Sequence, residues 1–505
     1  MNTLLNGLKE ATNFGYTENG AVKRNSTLSG LYDLFALGGA YRQRSDEDCI
    51  FLFKKAYQES PVYALKCLFY LRDIAEGQGE RRFFKTCLKW LAKEDSEVVK
   101  RNIKYIPMFG RWDDLYCLVD TSLKYEVFNL IKEQLMMDMS SKTPSLLAKW
   151  LKSENTSSLE SRRLAKITRQ HLGMTARQYR KTLSVLREKI NVLERLMSAG
   201  QWDKIEFDKI PSKAGLIYRN AFARHDVERA QANVRTYENF IKDKDTKVNA
   251  GTLYPYEVVE KAIAKMRGEF WYYNQQKEVA LDDVERLAIN KYWDNLKNYF
   301  ENATLNALPV VDTSGSMWGN PINVAISLGL YCAERNPGPF KDHYISFSSH
   351  PQLIRTEGVD FCDKVRRIYD TNLCQNTNIE ATFELILNTA IRNNMTSEDL
   401  PEHIIIISDM EFDIARSQGY YSNRVSQETL MEGIKKHWEL CGFKMPKLVY
   451  WNVNARHDNI PMKDENGITF VSGFSPVIFE MVMSGKTAQD LMFDKLNSKR
   501  YSVIK

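Results

Sequence analysis

From residue 46 to about residue 297, apolar positions recur every three or four residues, the period of helices with one buried face. In the stretch VYALKCLFYLRDI (62–74), Leu65, Leu68, Phe69 and Leu71 share one broad face, and Ser60-Pro61 ahead of it is a helix start with proline in the first turn. Gly77-Gln78-Gly79-Glu80 breaks the pattern, and Arg81 to Leu91 resumes it. Pro107 and Gly110 mark another break, after which Trp112-Asp113-Asp114 opens a helix carrying Leu115 and Leu118 on one face. Helices are also predicted over 211–224, 257–266 and 282–297, the last turning Val284, Leu287, Ala288, Tyr292 and Leu296 inward. Helices joined by short Gly/Pro turns predict an α-solenoid of HEAT-like units; the letters show no clean repeat, so an irregular helical domain is the alternative.

Near residue 300 the period changes. Short apolar runs (Leu308–Val311, Tyr344–Phe347, Ile404–Ile407, Leu448–Trp451 and Thr469–Val471) alternate with helical segments at 321–335, 379–394, 425–440 and 476–484. This alternation predicts a Rossmann-like, mainly parallel sheet, with Gln352 to Ile354 as an antiparallel edge strand. The expected domains are therefore a helical one over 1–300 and an α/β one over 301–505.

In such sheets ligands bind beyond the carboxyl ends of the strands. The first run delivers Val310-Val311-Asp312-Thr313-Ser314-Gly315-Ser316 to that edge, and the run of four isoleucines delivers Asp409. Thr377 stands just before the helix at 379, on a loop at the same edge. Asp312, Ser314, Ser316, Thr377 and Asp409 make a set of hard oxygens suited to octahedral Mg²⁺ or another divalent cation, with an open position for a partner's carboxylate. Turn chemistry alone is the competing explanation of these residues. The D-x-S-x-S pattern resembles the metal-ion-dependent adhesion site (MIDAS) of von Willebrand factor A domains. Two positions depart from that pattern: Met410-Glu411 stands where glycine commonly follows the second aspartate, and Asn376 where glycine often precedes the threonine. Glu411 and Asp413 add carboxylates, either as supports behind the ligands or, for Glu411, as the occupant of the open metal position.

Charge changes the picture of the first half. Residues 301–505 carry 20 Lys+Arg against 25 Asp+Glu, whereas residues 1–300 carry 50 against 39, so the basic surplus of the chain lies wholly in its helical part. The densest stretch, 149–200, has twelve Lys/Arg against four Glu. Arg162, Arg163, Lys166 and Arg169 recur at helical spacing, as do Arg177, Arg180 and Lys181 beside Tyr179. Basic helix faces of this kind align along a phosphate backbone and bind it in a salt-dependent way, without selecting RNA over DNA; a solvated helix face is the alternative. The eight cysteines are scattered singly, which predicts reduced core thiols in a cytoplasmic protein. No apolar run is long enough for a membrane span, and the N-terminus lacks a signal-peptide core. His225-Asp226 has no second histidine near it.

Several stretches are similar to a family of TROVE-like proteins of undefined activity: Arg72-Asp73-Ile74 through Gly77-Gln78-Gly79-Glu80-Arg81-Arg82, Gly110-Arg111-Trp112-Asp113-Asp114, Met197-Ser198-Ala199-Gly200-Gln201-Trp202, Asn249-Ala250-Gly251-Thr252-Leu253-Tyr254-Pro255 and the Asp312 motif. The arrangement resembles the Ro/TROVE architecture, in which HEAT-like helical repeats are closed into a ring by a von Willebrand A domain. The resemblance implies a monomeric helical toroid that binds small structured RNA on a basic face and single-stranded RNA ends in its hole, acting in ribonucleoproteins. The expected function is RNA binding by residues 162–181, with an acidic protein ligand docked at the metal site and no membrane involvement. The competing expectation is a protein-interaction scaffold that uses the Mg²⁺ site without nucleic acid. Catalysis is not expected: there is no phosphate-binding lysine loop, no G-x-S-x-G and no H-E-x-x-H.

Overall fold

The computed structural model describes residues 3–263, 281–301, 306–346, 350–371, 378–413, 429–463, 465, 467–482 and 486–505. Two compact units divide the chain: residues 1–67 with 250–498, and residues 68–249 with 499–505.

The first unit opens with a helix, Thr3–Ala11, followed by a two-stranded antiparallel hairpin, β1 (Phe14–Tyr16) and β2 (Val22–Arg24). Its centre is a six-stranded sheet of β3 (Ala307–Val311), β4 (His343–Ser346), β5 (Gln352–Arg355), β6 (His403–Ser408), β7 (Lys447–Asn452) and β8 (Ile468–Ser472). The spatial order is β5-β4-β3-β6-β7-β8, and only β5 runs antiparallel, at the edge. All of β3, β6 and β8 is buried, and the unbroken isoleucine run of β6 is what a strand covered on both faces should carry. Every predicted strand is present; Phe347, the predicted end of the second, lies outside the described residues. The helix Asn320–Arg335 packs on β3, and Ile379–Arg392 packs on Leu430–Leu440. The predicted start of the latter at 425 also lies outside the described residues; its observed start is a capping box of Thr429 and Glu432.

The domain boundary expected at residue 300 falls inside this unit. The helices Pro255–Ile263 and Asp283–Asp294 bury their apolar faces against Asn320–Arg335 and Phe361–Thr371. Trp293 stacks on Phe361 with ring centroids 4.1 Å apart and donates through Nε1 to Glu334 at 2.7 Å. Arg286 holds Asp360 by two bonds of 2.7 Å. The N-terminal residues join β8: Tyr32 Oη accepts the Phe470 N–H at 3.1 Å, and a Cβ on Gly39 would meet the Ser472 carbonyl oxygen at 2.5 Å.

His403, at the buried start of β6, offers a test of this core. Burial first, and then the Lys447 charge, push its pKa down to about 4. The folded state therefore keeps this ring neutral where the unfolded chain protonates it. The stability it contributes is full above the unfolded value near 6.5 and is lost as pH falls toward 4, up to about 3 kcal/mol. Thermal unfolding followed from pH 7 to pH 4 is expected to show a falling midpoint, less steep in His403→Phe. Identical slopes in the two proteins would exclude the ring as the source.

The second unit is helical. Its principal helices are Arg81–Glu94, Lys124–Ser140, Leu159–His171, Ala176–Lys189 and Ser212–Arg224, with 3₁₀ turns between. Residues 499–505, expected in the α/β domain, belong here: Arg500 donates to Asp73 at 2.6 Å, Tyr501 Oη donates to Asp73 at 2.8 Å, and the Tyr501 ring stacks on Phe109. His225 stacks on Trp202, and Asp226 accepts backbone N–H groups from Tyr237 and Glu238, so this pair is structural.

Candidate metal centre and nucleic-acid interface

The parallel register of β3 and β6 brings their C-terminal ends together, which sets Asp312 and Asp409 at one sheet edge. Asp312 continues the ladder, donating its N–H to the Ile407 carbonyl at 3.0 Å. One carboxylate oxygen accepts from the Ser314 N–H at 2.9 Å and the other from Ser408 Oγ at 2.6 Å. A 3₁₀ turn, Gly315–Met317, then folds the chain so that Ser314 Oγ and Ser316 Oγ lie 3.0 Å apart. Both aspartates are fully buried. Burial raises the pKa of Asp312, and burial followed by the Asp312 charge pushes Asp409 up to about 7. The positive side chain in direct contact is Arg456, whose Nη2 lies 3.2 Å from Asp409.

Two crowded buried carboxylates with hydroxyls beside them fit a hard cation by donor chemistry and by charge. Among the described residues no group of three or more His, Cys, Asp or Glu side chains can hold a metal ion, so coordination here would depend on the serines. Thr377 and Asn376 lie outside the described residues.

Both carboxylate oxygens of Glu411 are engaged by neighbouring groups. One of its oxygens accepts the Glu18 N–H and the other meets His457 Nδ1, each at 2.8 Å. Met410 sits at φ +63°, in the left-handed region that glycine adopts most readily. Arg456 spans two carboxylates, reaching Glu18 at 2.6 Å as well as Asp409. The hairpin tip that carries Glu18 is held by Thr17 Oγ1 donating to the Phe412 carbonyl at 2.8 Å and by Asn19 Nδ2 donating to the Glu411 carbonyl at 2.7 Å.

The basic stretch forms two helices of the second unit. Leu159–His171 buries Leu164, Ala165 and Thr168; Ala176–Lys189 buries Tyr179, Leu183 and Leu186. Both are anchored to one segment. Arg169 pairs with Glu154 at 2.7 Å, Tyr179 Oη donates to the Lys152 carbonyl at 2.8 Å, and Arg187 donates to Ala148 and Leu151 carbonyls at 2.9 Å. The predicted patch thereby splits. Arg163 is committed to Asp120 and Glu160, and Arg169 to Glu154 and the Met174 carbonyl. Arg162, Lys166, Arg177, Arg180 and Lys181 are exposed and make no ion pair among the described residues.

Against known families, a model described as Domain of unknown function (DUF2828) matches residues 17–157 and 135–302, more than half of the chain. The chain belongs to the DUF2828 family. In this DUF2828 protein, residues 306–502 match a second model, Domain of unknown function (DUF7788). "Uncharacterized protein L728" of Acanthamoeba polyphaga mimivirus is 30% identical over 513 residues, spanning 94% of this chain and 85% of that protein. Among solved structures, the crystal structure of Deinococcus radiodurans RO (RSR) protein aligns with a TM-score of 0.40 at 12% identity, over 91% of this chain and 100% of that one. A likeness at that score decides neither fold nor function.

Sequence reasoning on the DUF2828 protein named the aspartates and serines but missed Glu18, Ser408, Arg456 and His457. Ser408 stands beside Asp409, and its place at the end of a strand was a usable signal. Glu18 and Arg456 are 438 positions apart, and no spacing or motif joins them.

Proposed function

We propose that this DUF2828 protein is a non-catalytic RNA-binding protein of Ro-like type. In this reading the helical part is a HEAT-like solenoid whose basic surface takes small structured or single-stranded RNA within a cytoplasmic ribonucleoprotein. The observation that carries it is the set of five exposed cations without ion-pair partners among the described residues, Arg162, Lys166, Arg177, Arg180 and Lys181, on two consecutive helices. Unpaired cations on a scaffold anchored elsewhere are what a phosphate backbone recruits, because they need not break an ion pair to bind. The family resemblance of the helical motifs favours RNA over DNA. Labelled single-stranded and structured RNA, and matched DNA, titrated across a KCl series test this. RNA affinity that falls steeply with salt supports the reading, and no RNA binding at low salt sinks it.

The second part of the proposal is a MIDAS-type site in which Asp312, Ser314, Ser316, Thr377 and Asp409 hold Mg²⁺, which supplies a Lewis-acid contact for an acidic protein ligand. The crowded carboxylates support it. Saturating Mg²⁺ at about a hundred times its Kd is expected to stabilise the protein by about 2.7 kcal/mol, read as a raised unfolding midpoint. Asp312→Asn should remove that shift and leave RNA binding intact; an undiminished shift in this variant would place the ion elsewhere. A scaffold without nucleic acid is the second reading. The Glu18–Arg456 contact favours it, because a carboxylate already docks at the rim of the site. Mg²⁺-dependent capture of an acidic peptide, with no nucleic-acid binding, would decide for the scaffold.

A further inference from the structure

The Gly110-Arg111-Trp112-Asp113-Asp114 stretch is absorbed by neither site above, yet a cluster of charged side chains surrounds its two aspartates. Asp114 is fully buried. One of its oxygens accepts from Arg72 Nε at 2.8 Å and Nη2 at 2.6 Å, and from the Arg111 N–H at 3.0 Å. The other accepts from Arg81 Nε at 2.8 Å and lies 3.4 Å from Lys85 Nζ. Asp113 meets Arg81 Nη2 at 2.6 Å and Lys152 Nζ at 3.2 Å. A Cβ on Gly110 would lie 2.5 Å from the Asp114 carboxylate and 2.8 Å from Arg72 Nε, so glycine is what lets the backbone close over the pair.

Arg72, Arg81, Lys85, Arg111 and Lys152 thus face two carboxylates, both of them already engaged. The Arg111 guanidinium has no hydrogen-bonded acceptor among the described residues; it lies 4.5 Å from the centre of the half-buried Trp150 ring. Burial, then the charges of Arg81 and other cluster members, lower the pKa of Arg111, and burial lowers that of Lys85 despite Asp114. Cations crowded and partly desolvated in this way gain from one more anion. Arg81, Lys85, Arg111 and Lys152 are each only partly buried, so such an anion can reach them.

We propose that Arg111, with Lys85, Arg81 and Lys152 around it, forms an oxyanion site that takes a backbone phosphate of the bound RNA strand. This rests on the RNA reading and deepens it by adding a contact outside the 162–181 surface. The two are physically joined through Lys152, whose ammonium reaches Asp113 while its carbonyl holds the Tyr179 hydroxyl of the helix Ala176–Lys189. A guanidinium placed over an indole ring, its N–H groups without a hydrogen-bonded acceptor among the described residues, presents a planar fork matched to phosphate oxygens.

Arg111→Gln is the test, because it removes the cation that no carboxylate needs; an unchanged unfolding midpoint confirms that its fold is intact. In full-length protein, single-stranded RNA is expected to bind it about tenfold more weakly than wild type, with a salt slope smaller by about 0.7, one single-strand phosphate contact. Wild-type affinity and slope in this variant overturn the inference while leaving the RNA reading in place. If wild type binds no RNA, the RNA reading falls, and inorganic pyrophosphate titrated by calorimetry at constant ionic strength judges the site alone. Pyrophosphate binding that Arg111→Gln abolishes upholds an oxyanion site there, and no binding to wild type overturns it.

Discussion

Replacing Arg162, Lys166, Arg177, Arg180 and Lys181 together by glutamate is expected to abolish RNA binding at physiological salt while leaving the unfolding midpoint nearly unchanged. The side chains are exposed, and none forms an ion pair among the described residues, so the folded state loses little with them. The bound state loses a great deal. Each single-strand phosphate neutralised contributes about 0.7 to the slope of log affinity against log salt, so five lost contacts remove up to about 3.5 from it. Reversal of sign adds repulsion to that loss. The informative control is Arg163→Glu with Arg169→Glu. Those two cations already serve Asp120, Glu160 and Glu154, so their reversal should affect RNA binding far less and stability more. Anisotropy titrations of a labelled strand across KCl concentrations separate the two sets. If the paired set proves the more damaging to RNA affinity, the division drawn here between committed and free cations is wrong.

That division marks the limit of what the sequence discloses. Helical spacing is enough to place Arg162, Arg163, Lys166 and Arg169 on one helix, because period reports which residues share an element. It cannot report that Arg163 finds Asp120 and Arg169 finds Glu154, since ion pairing depends on how separate segments pack. The sheet was legible for a related reason. Strands covered on both faces must be apolar throughout, so the runs ending at Val311 and Ile407 announce both themselves and the edge to which Asp312 and Asp409 are delivered. The change near residue 300 coincides with the meeting of the two family models, at 302 and 306, but that it is not a break between compact units was not legible. An amphipathic helix shows that it has a buried face and says nothing of what covers it. Trp293 reads as core in either domain, and only its stacking on Phe361 assigns it to the sheet unit. Arg456 at Asp409 was hidden most deeply, because an arginine in a loop is ordinary until a buried carboxylate is found beside it.

The largest stability effect is expected at Asp114. Arg72 is 1% exposed and Asp114 0%, so the pair is buried, and removing one partner of such a pair costs about 3–5 kcal/mol because the other charge is left uncompensated. The two partners should nevertheless differ. Asp114→Ala strands Arg72 and takes a counter-charge from Arg81 and Lys85 as well, leaving cations to face one another across a cavity. Arg72→Met leaves Asp114 with Arg81, Lys85 and the Arg111 N–H still on it, so it should cost clearly less. The acid side of the stability curve should respond to the same group. Burial raises the Asp114 pKa, but Arg72, Arg81 and Lys85 more than reverse this and hold the carboxyl below its ordinary value. A depressed carboxyl contributes stability above its unfolded pKa and loses it as pH falls through the folded value, so wild type should weaken below about pH 4. Asp114→Ala should be weaker at neutral pH and lack that component of the acid loss. Denaturant unfolding of wild type, Asp114→Ala and Arg72→Met at pH 7 and pH 3 measures both effects. Equal losses for the two single variants at pH 7 would show that Arg81 and Lys85 do not share the carboxylate.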